Sequence, residues 1–127
     1  MFGKISIIGC GLIGSSILRA TEEKKLAKKI SVHDKSNKVI DYLKKNFTAD
    51  ICSNVSEATK DADLIIISAP LSSYKEILLS IKSTLKEGSI LTDTGSAKKE
   101  VNKVVNNLGL KNISWIASHP IAGTEYS

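Results

Sequence analysis

The amino-acid sequence predicts an α/β fold, a doubly wound parallel sheet of about six strands with helices on both faces. Three observations carry that prediction. Apolar strand-like runs alternate with helix-period segments all along the chain, joined by short connections, the pattern of a parallel sheet wound with crossover helices. The run "LIIIS" at residues 64–68 is nearly unbroken in apolar and β-branched residues, which suits a strand covered on both faces. The stretch "IIGCGLIGS" at residues 7–15 sets a glycine-rich turn directly between the first strand and the first helix.

Taken in order, residues 4–8 form a short apolar strand that ends in the glycine turn. Residues 12 to about 26 form a helix with Ile13, Ile17 and Ala20 on its inward face. A second strand spans 30–33, and Ser36 caps a helix whose Val39, Ile40, Leu43 and Phe47 recur at helical spacing. Residues 48–52 form a weak third strand and 55–60 a short helix. After the strand at 64–68, Pro70 stops the sheet and starts a helix that turns Tyr74, Ile77, Leu78, Ile81 and Leu85 inward. Gly88 leads into a strand at 89–93. A helix with Val101, Val104, Val105 and Leu108 follows, closed by Gly109, and a last strand at 113–118 ends at His119 and Pro120. No linker or low-complexity tract interrupts residues 1–127, so the expected organisation is a single domain.

The balance of 42% hydrophobic and 24% charged residues is that of a globular chain, not a disordered one. A net charge of +5 invites a nucleic-acid reading. The lysines, however, fall in short groups on helical segments, and the aromatics are too few to interleave them as a stacking platform. A solvated lysine-rich surface is the expectation, with no nucleic-acid partner. Cys10 and Cys52 have neither metal-ligand spacing nor the number for a disulfide framework, so both read as structural thiols and no metal is expected. The start of the chain reads as a strand and not a signal peptide, and no apolar run approaches the ~20 residues of a membrane span. A reducing, cytoplasmic setting fits these features.

The informative side chains gather at the carboxyl ends of the strands, where open α/β sheets bind ligands. Gly9, Gly11 and Gly14 form a GxGxxG motif with a strand before it and a helix after it, the context of a Rossmann dinucleotide fold. Gly9 permits the tight turn, Gly11 lets the backbone approach a pyrophosphate, and Gly14 allows close helix–strand packing. The helix start at Leu12 and Ile13 offers amides to the anion. Asp34 stands 20 residues beyond Gly14, where a carboxylate accepts from ribose hydroxyls and repels a 2′-phosphate. NAD is therefore expected over NADP, with Lys35 and Lys38 softening the preference. Ala69 and Pro70 leave the fourth strand toward the same edge, and Asp93 to Ser96 leave the fifth. His119 follows the sixth strand and is either a general base or a plain loop residue. Asp93 and Ser96 have local alternatives as a turn stabiliser and a helix cap, and His33 reads as packing or local hydrogen bonding.

Three stretches resemble one family, the prephenate and arogenate dehydrogenases of tyrosine biosynthesis: "IIGCGLIGSS" at 7–16, "DTGSAKKEV" at 93–101 and "HPIAGTEYS" at 119–127. The last is the most specific, because HP-x-AG-x-E is not a general feature of dinucleotide folds. The resemblance spans the whole chain but only the family's cofactor half. It implies an NAD-dependent oxidoreductase that oxidises prephenate to 4-hydroxyphenylpyruvate, or arogenate to tyrosine, with loss of carbon dioxide. It also implies roles. His119 is the base at the ring hydroxyl, and Ser96 orients that hydroxyl and the nicotinamide. Gly9, Gly11, Gly14 and Asp34 match the family's cofactor positions. Family members continue into a helical domain that closes the substrate pocket, supplies an arginine for a substrate carboxylate and builds a homodimer. Arg19, on the first helix, cannot be assigned that role. The expectation is thus an incomplete enzyme, with a non-catalytic NAD-binding module as the alternative.

Overall fold

In a computed structural model of the chain, residues 2–82, 84–94, 103 and 114–116 are described. They run β1 (Phe2–Ile8), α1 (Leu12–Lys24), β2 (Ala27–His33), α2 (Asn37–Asn46), β3 (Asp50–Ile51), α3 (Val55–Thr59), β4 (Leu64–Ile67), a 3-10 turn (Leu71–Ser73), α4 (Tyr74–Ile81), β5 (Ile90–Asp93) and β6 (Ser114–Ile116). Among the described residues the sheet has six strands in the order β3-β2-β1-β4-β5-β6, and every pairing is parallel. The expected Rossmann-type sheet is therefore present. The helix expected around Val101–Leu108, its Gly109 cap, Ser96 and His119 lie outside the described residues.

Side-chain alternation sends successive strand residues to opposite faces, and two apolar clusters result. Ile5 and Ile7 of β1 pack with Leu18 of α1, Val32 of β2 and Leu43 of α2. Ile8 instead joins Ile65, Ile67 and Leu91 beneath Ala58 of α3 and Leu78 and Ile81 of α4. The chain changes face at the crossover from β3 to β4. That is why β4, covered on both sides, is built as "LIII". Leu43 is the only fully buried residue of α2, so it anchors that helix. Its truncation to alanine is worth roughly 2–5 kcal/mol.

The register sets the site. Ile8 pairs with His33 and with Ile67, and Ile67 pairs with Asp93, so four strands end in one row. Hydrogen bonds carry the row one residue further: Gly9 N–H donates to His33 O, Ser68 N–H to Ile8 O and Thr94 N–H to Ile67 O. The opposite edge is tied by Asp63, whose carboxylate accepts from the Gly3 and Lys4 amides and from the Lys86 ammonium.

Three expectations need correction. The inward face of α1 is Gly14, Leu18 and Thr21 with Ile17 alongside, whereas Ala20 is exposed and Ile13 is 44% exposed. Gly14 must meet the turn after β1 closely, at Gly9, and that demand rotates the helix away from the face that apolar residues alone suggest. Pro70 does not open α4 directly; the 3-10 turn intervenes, and the α-helix starts at Tyr74. β1 and β2 are also longer than expected, because Phe2 pairs with Ala27 once Lys25 turns the chain in a left-handed conformation at φ 52°. The Ser36 cap is present as expected: Val39 N–H donates to Ser36 Oγ at 3.4 Å.

Candidate functional site

A cleft of about 920 Å³ opens over the carboxyl edge of the sheet, where the strand order reverses between β1 and β4. In open α/β sheets such a switch point is the binding crevice, because the loops from its two strands diverge there. Gly9, Gly11, Leu12, Ile13, Asp34, Ala69 and Pro70 all line it. Gly14 does not; it lies beneath, buried against Gly9.

Each glycine has its own reason. Gly9 has φ +90°, and a Cβ there would stand 2.8 Å from the Ala69 amide nitrogen. The turn and the β4 exit touch backbone to backbone. A Cβ on Gly14 would stand 2.4 Å from Gly9 O. A Cβ on Gly11 would meet nothing within 4 Å, so there the backbone borders open space in the cleft. Only the last position leaves room for a ligand to come within contact of the main chain.

The start of α1 is equipped for an anion. Gly11 is its N-cap, no side chain caps it, and no acidic residue occupies its first turn. The first-turn amides of a 13-residue helix therefore point outward, with roughly half a positive charge at that end. A diphosphate fits such a terminus. Leu12 is 88% exposed and Ile13 44%, so two apolar side chains flank the amides at the mouth.

Asp34 has two tasks here. Its Oδ2 accepts from the Cys10 amide at 2.7 Å, and its Oδ1 accepts from the Ser36 amide at 2.8 Å. A carboxylate has about four acceptor sites, so lone pairs remain for a ribose diol while the same group pins the glycine loop to the end of β2. The residues present thus fit a dinucleotide: open backbone at Gly11, free amides at the start of α1 and an acceptor beyond them.

Cys10, within the loop, is buried, and its side chain belongs to the cluster under α1 and α2. Burial pushes its thiol up to about 11; the charge of Asp34 acts in the same direction, against a hydrogen bond involving Ser15. It is a protonated core thiol and not a nucleophile. Cys52 is likewise buried, with its thiol shifted upward mainly by desolvation. The structural reading of both cysteines holds. So does that of His33, whose Nδ1 lies 2.9 Å from Cys52 O. Among the described residues no group of His, Cys, Asp or Glu could hold a metal ion, and no helix is long and apolar enough to cross a membrane.

At the β4 and β5 exits, Thr94 Oγ1 donates to Ser68 Oγ at 3.1 Å, and both residues line the cleft. Asp93 is fully buried and accepts from the Tyr74 hydroxyl at 3.3 Å, which ties the start of α4 to the end of β5. Lys35, read from the sequence as a neighbour of the cofactor, lines the cleft, and sequence reasoning missed several further lining residues: His33, Ser36, Val55, Ser72, Ser73, Glu76 and Ile77. For α4 the signal was available, since the first turn of a helix that follows a strand exit borders the same edge. For Val55 there was none.

The family model for the nucleotide-binding domain of prephenate dehydrogenase matches residues 17–127. A cyclohexadienyl dehydrogenase of Zymomonas mobilis is 36% identical over 126 residues, spanning 98% of this chain and 43% of its own. A prephenate dehydrogenase of Lactococcus lactis is 35% identical over 127 residues, spanning 98% of this chain and 35% of its own. The prephenate dehydrogenase of Aquifex aeolicus, crystallised with hydroxyphenyl propionate and NAD+, is 25% identical. It superposes with a TM-score of 0.80 over 97% of this chain and 43% of its own. The chain spans less than half the length of each of these relatives.

Proposed function

The chain belongs to the prephenate dehydrogenase family, and on that premise we propose that it is the NAD-binding half of an oxidoreductase acting on prephenate or arogenate. Prephenate would give 4-hydroxyphenylpyruvate, and arogenate would give tyrosine. The observation that carries the reading is the family match over residues 17–127, on a chain whose cleft suits a dinucleotide.

NAD, when bound, supplies the hydride acceptor. The residues of this chain do the rest of the work in the cofactor half. Gly9 shapes the turn and Gly14 seats α1 on it. Gly11, with the amides at Leu12 and Ile13, takes the diphosphate. Asp34 accepts from the ribose diol and disfavours a 2′-phosphate, which selects NAD over NADP. Ala69 and Pro70 border the dinucleotide from β4. His119 takes the proton of the ring hydroxyl as hydride leaves the same carbon, and Ser96 orients that hydroxyl. A hydrogen bond that strengthens as charge grows on the oxygen lowers the barrier, and fixed placement of the donor carbon supplies orientation. The electron pair released with carbon dioxide enters the ring and makes it aromatic. The partners are a small diacid or amino-acid substrate and, only where the family's helical domain is present, a second copy. The setting is cytoplasmic, without nucleic acid.

Turnover tests the reading. The folded chain, checked by circular dichroism, is mixed with NAD and prephenate, and reduced-nicotinamide absorbance is followed. A signal above a His119→Asn control supports catalysis by this chain. A flat line with NAD bound assigns it the role of a nucleotide module. Failure of the folded chain to bind NAD refutes the proposal.

A further inference from the structure

Beyond Asp34 the cleft continues toward the groove between α3 and α4, and the roles assigned above leave that end unused. Ser56 Oγ donates to Ser80 O at 2.9 Å, which brings α3 against the α4 face that carries Ser80. Residues three and four apart share a helix face, so Glu76 and Ile77 stand one turn above Ser80 on that side. Ile77 is buried in the cluster that also holds Ala58, with Val55 packed against it, and Val55, Glu76 and Ile77 all line the cleft. The site there has apolar walls with one exposed carboxylate at the rim. Asp34 and Glu76 are the only acidic residues lining the cleft among the described residues. Asp34 is engaged by two amides. Glu76 is held through its main chain, where the carbonyl accepts from Ser80 Oγ at 2.9 Å.

A dinucleotide whose diphosphate lies on α1 and whose ribose lies on Asp34 carries its purine onward into this end. We propose that Glu76 selects adenine by accepting a hydrogen bond from its 6-amino group, while Val55 and Ile77 pack on the ring. The assignment rests on the NAD reading given above. An ionised carboxylate is an acceptor only. Adenine offers a donor at position 6, whereas hypoxanthine offers a carbonyl oxygen there, and two acceptors repel. A site built to bond a donor rejects an analogue that lacks it. Glu76 also suits the first turn of α4 through the helix dipole, but that role is blind to which purine is bound.

The test compares NAD with nicotinamide hypoxanthine dinucleotide by titration calorimetry, using the whole chain. The parent protein is expected to bind NAD roughly 5- to 10-fold more tightly than the hypoxanthine analogue, the worth of one partly exposed hydrogen bond. In Glu76→Ala and Glu76→Gln the preference is expected to fall to about 2-fold or less, because alanine offers no acceptor and a glutamine amide can donate to the carbonyl as well as accept. Equal binding of the two dinucleotides by the parent, or an unchanged preference in both variants, overturns the role of Glu76 and leaves the NAD reading intact. Binding of neither dinucleotide by the parent overturns both. A loss of melting temperature in the variants with the preference retained assigns Glu76 to the helix alone and overturns the proposal.

Discussion

A single methyl group placed at Gly14 measures how closely α1 is seated on the turn after β1. The added Cβ would lie 2.4 Å from Gly9 O and 3.3 Å from both Gly9 C and Ser68 Oγ, whereas ordinary contact begins at 3.4 Å. About an ångström has to open at the carbonyl. Gly9 cannot supply it, because its amide is bonded to His33 O at 2.8 Å and even a Cβ added there would stand 2.8 Å from the Ala69 amide nitrogen. The helix has to move instead, and Leu18 and Thr21 move with it out of a filled core. We expect Gly14→Ala to cost about 3 kcal/mol, the upper range for one inserted carbon, which lowers the melting midpoint by roughly 10 °C in a chain of this size. Gly11→Ala is the control. Gly11 has φ −72° and its Cβ would face open space, so stability should change by less than ~0.5 kcal/mol. NAD affinity should nonetheless drop at least about tenfold, since the methyl occupies the approach of the diphosphate. Thermal melts and NAD titrations on both variants decide the matter. A Gly14→Ala protein melting within about 2 °C of the parent would refute the close approach, and a Gly11→Ala protein as unstable as Gly14→Ala would refute the distinction between a packing glycine and a ligand-facing one.

Asp34→Ala is expected to weaken binding of both NAD and NADP by roughly 10- to 100-fold and not to exchange one for the other, because it also releases the Cys10 amide from a 2.7 Å charge-assisted bond. Titration with both dinucleotides checks this, and a clean switch to NADP would show that the loop holds without its latch. Asp63 supplies a pH dependence at the other edge of the sheet. The Lys86 ammonium, followed by the Lys4 and Gly3 amides, holds its carboxyl below the ordinary 3.8. Its contribution is therefore complete above that value and is lost as pH falls through the lower folded-state pKa. Asp63→Asn should lower stability at neutral pH and flatten the acid limb of a pH–stability profile; an unchanged limb would remove Asp63 from the acid response. Both cysteines are free and buried. A thiol reagent at neutral pH should therefore label neither in the native protein and both in denaturant, and rapid native labelling of Cys10 would contradict its packing under α1.

Features that depend on neighbours a few residues apart were legible in the sequence. The alternation of strand and helix, the β4 run, the Ser36 cap, the inward faces of α2 and α4 and the GxGxxG turn all follow from spacing, because period, cap chemistry and glycine torsions act within one or two turns of chain. Asp34 was legible for the same reason, as a carboxylate at the end of the second strand. Tertiary structure decided what depends on register. The 2.7 Å bond from Cys10 to Asp34 joins residues 24 apart. The Tyr74–Asp93 bond joins residues 19 apart. The approach of Gly14 to Gly9 turned α1 onto Leu18 and Thr21, where apolar periodicity had pointed to Ile13 and Ala20. Val55 and Glu76 became neighbours of one cleft only through the seating of α3 against α4. Apart from the approach of Gly14 to Gly9, which the GxGxxG spacing itself announces, these contacts have no local energetic signature, since each exists only after the parallel sheet has brought distant segments together.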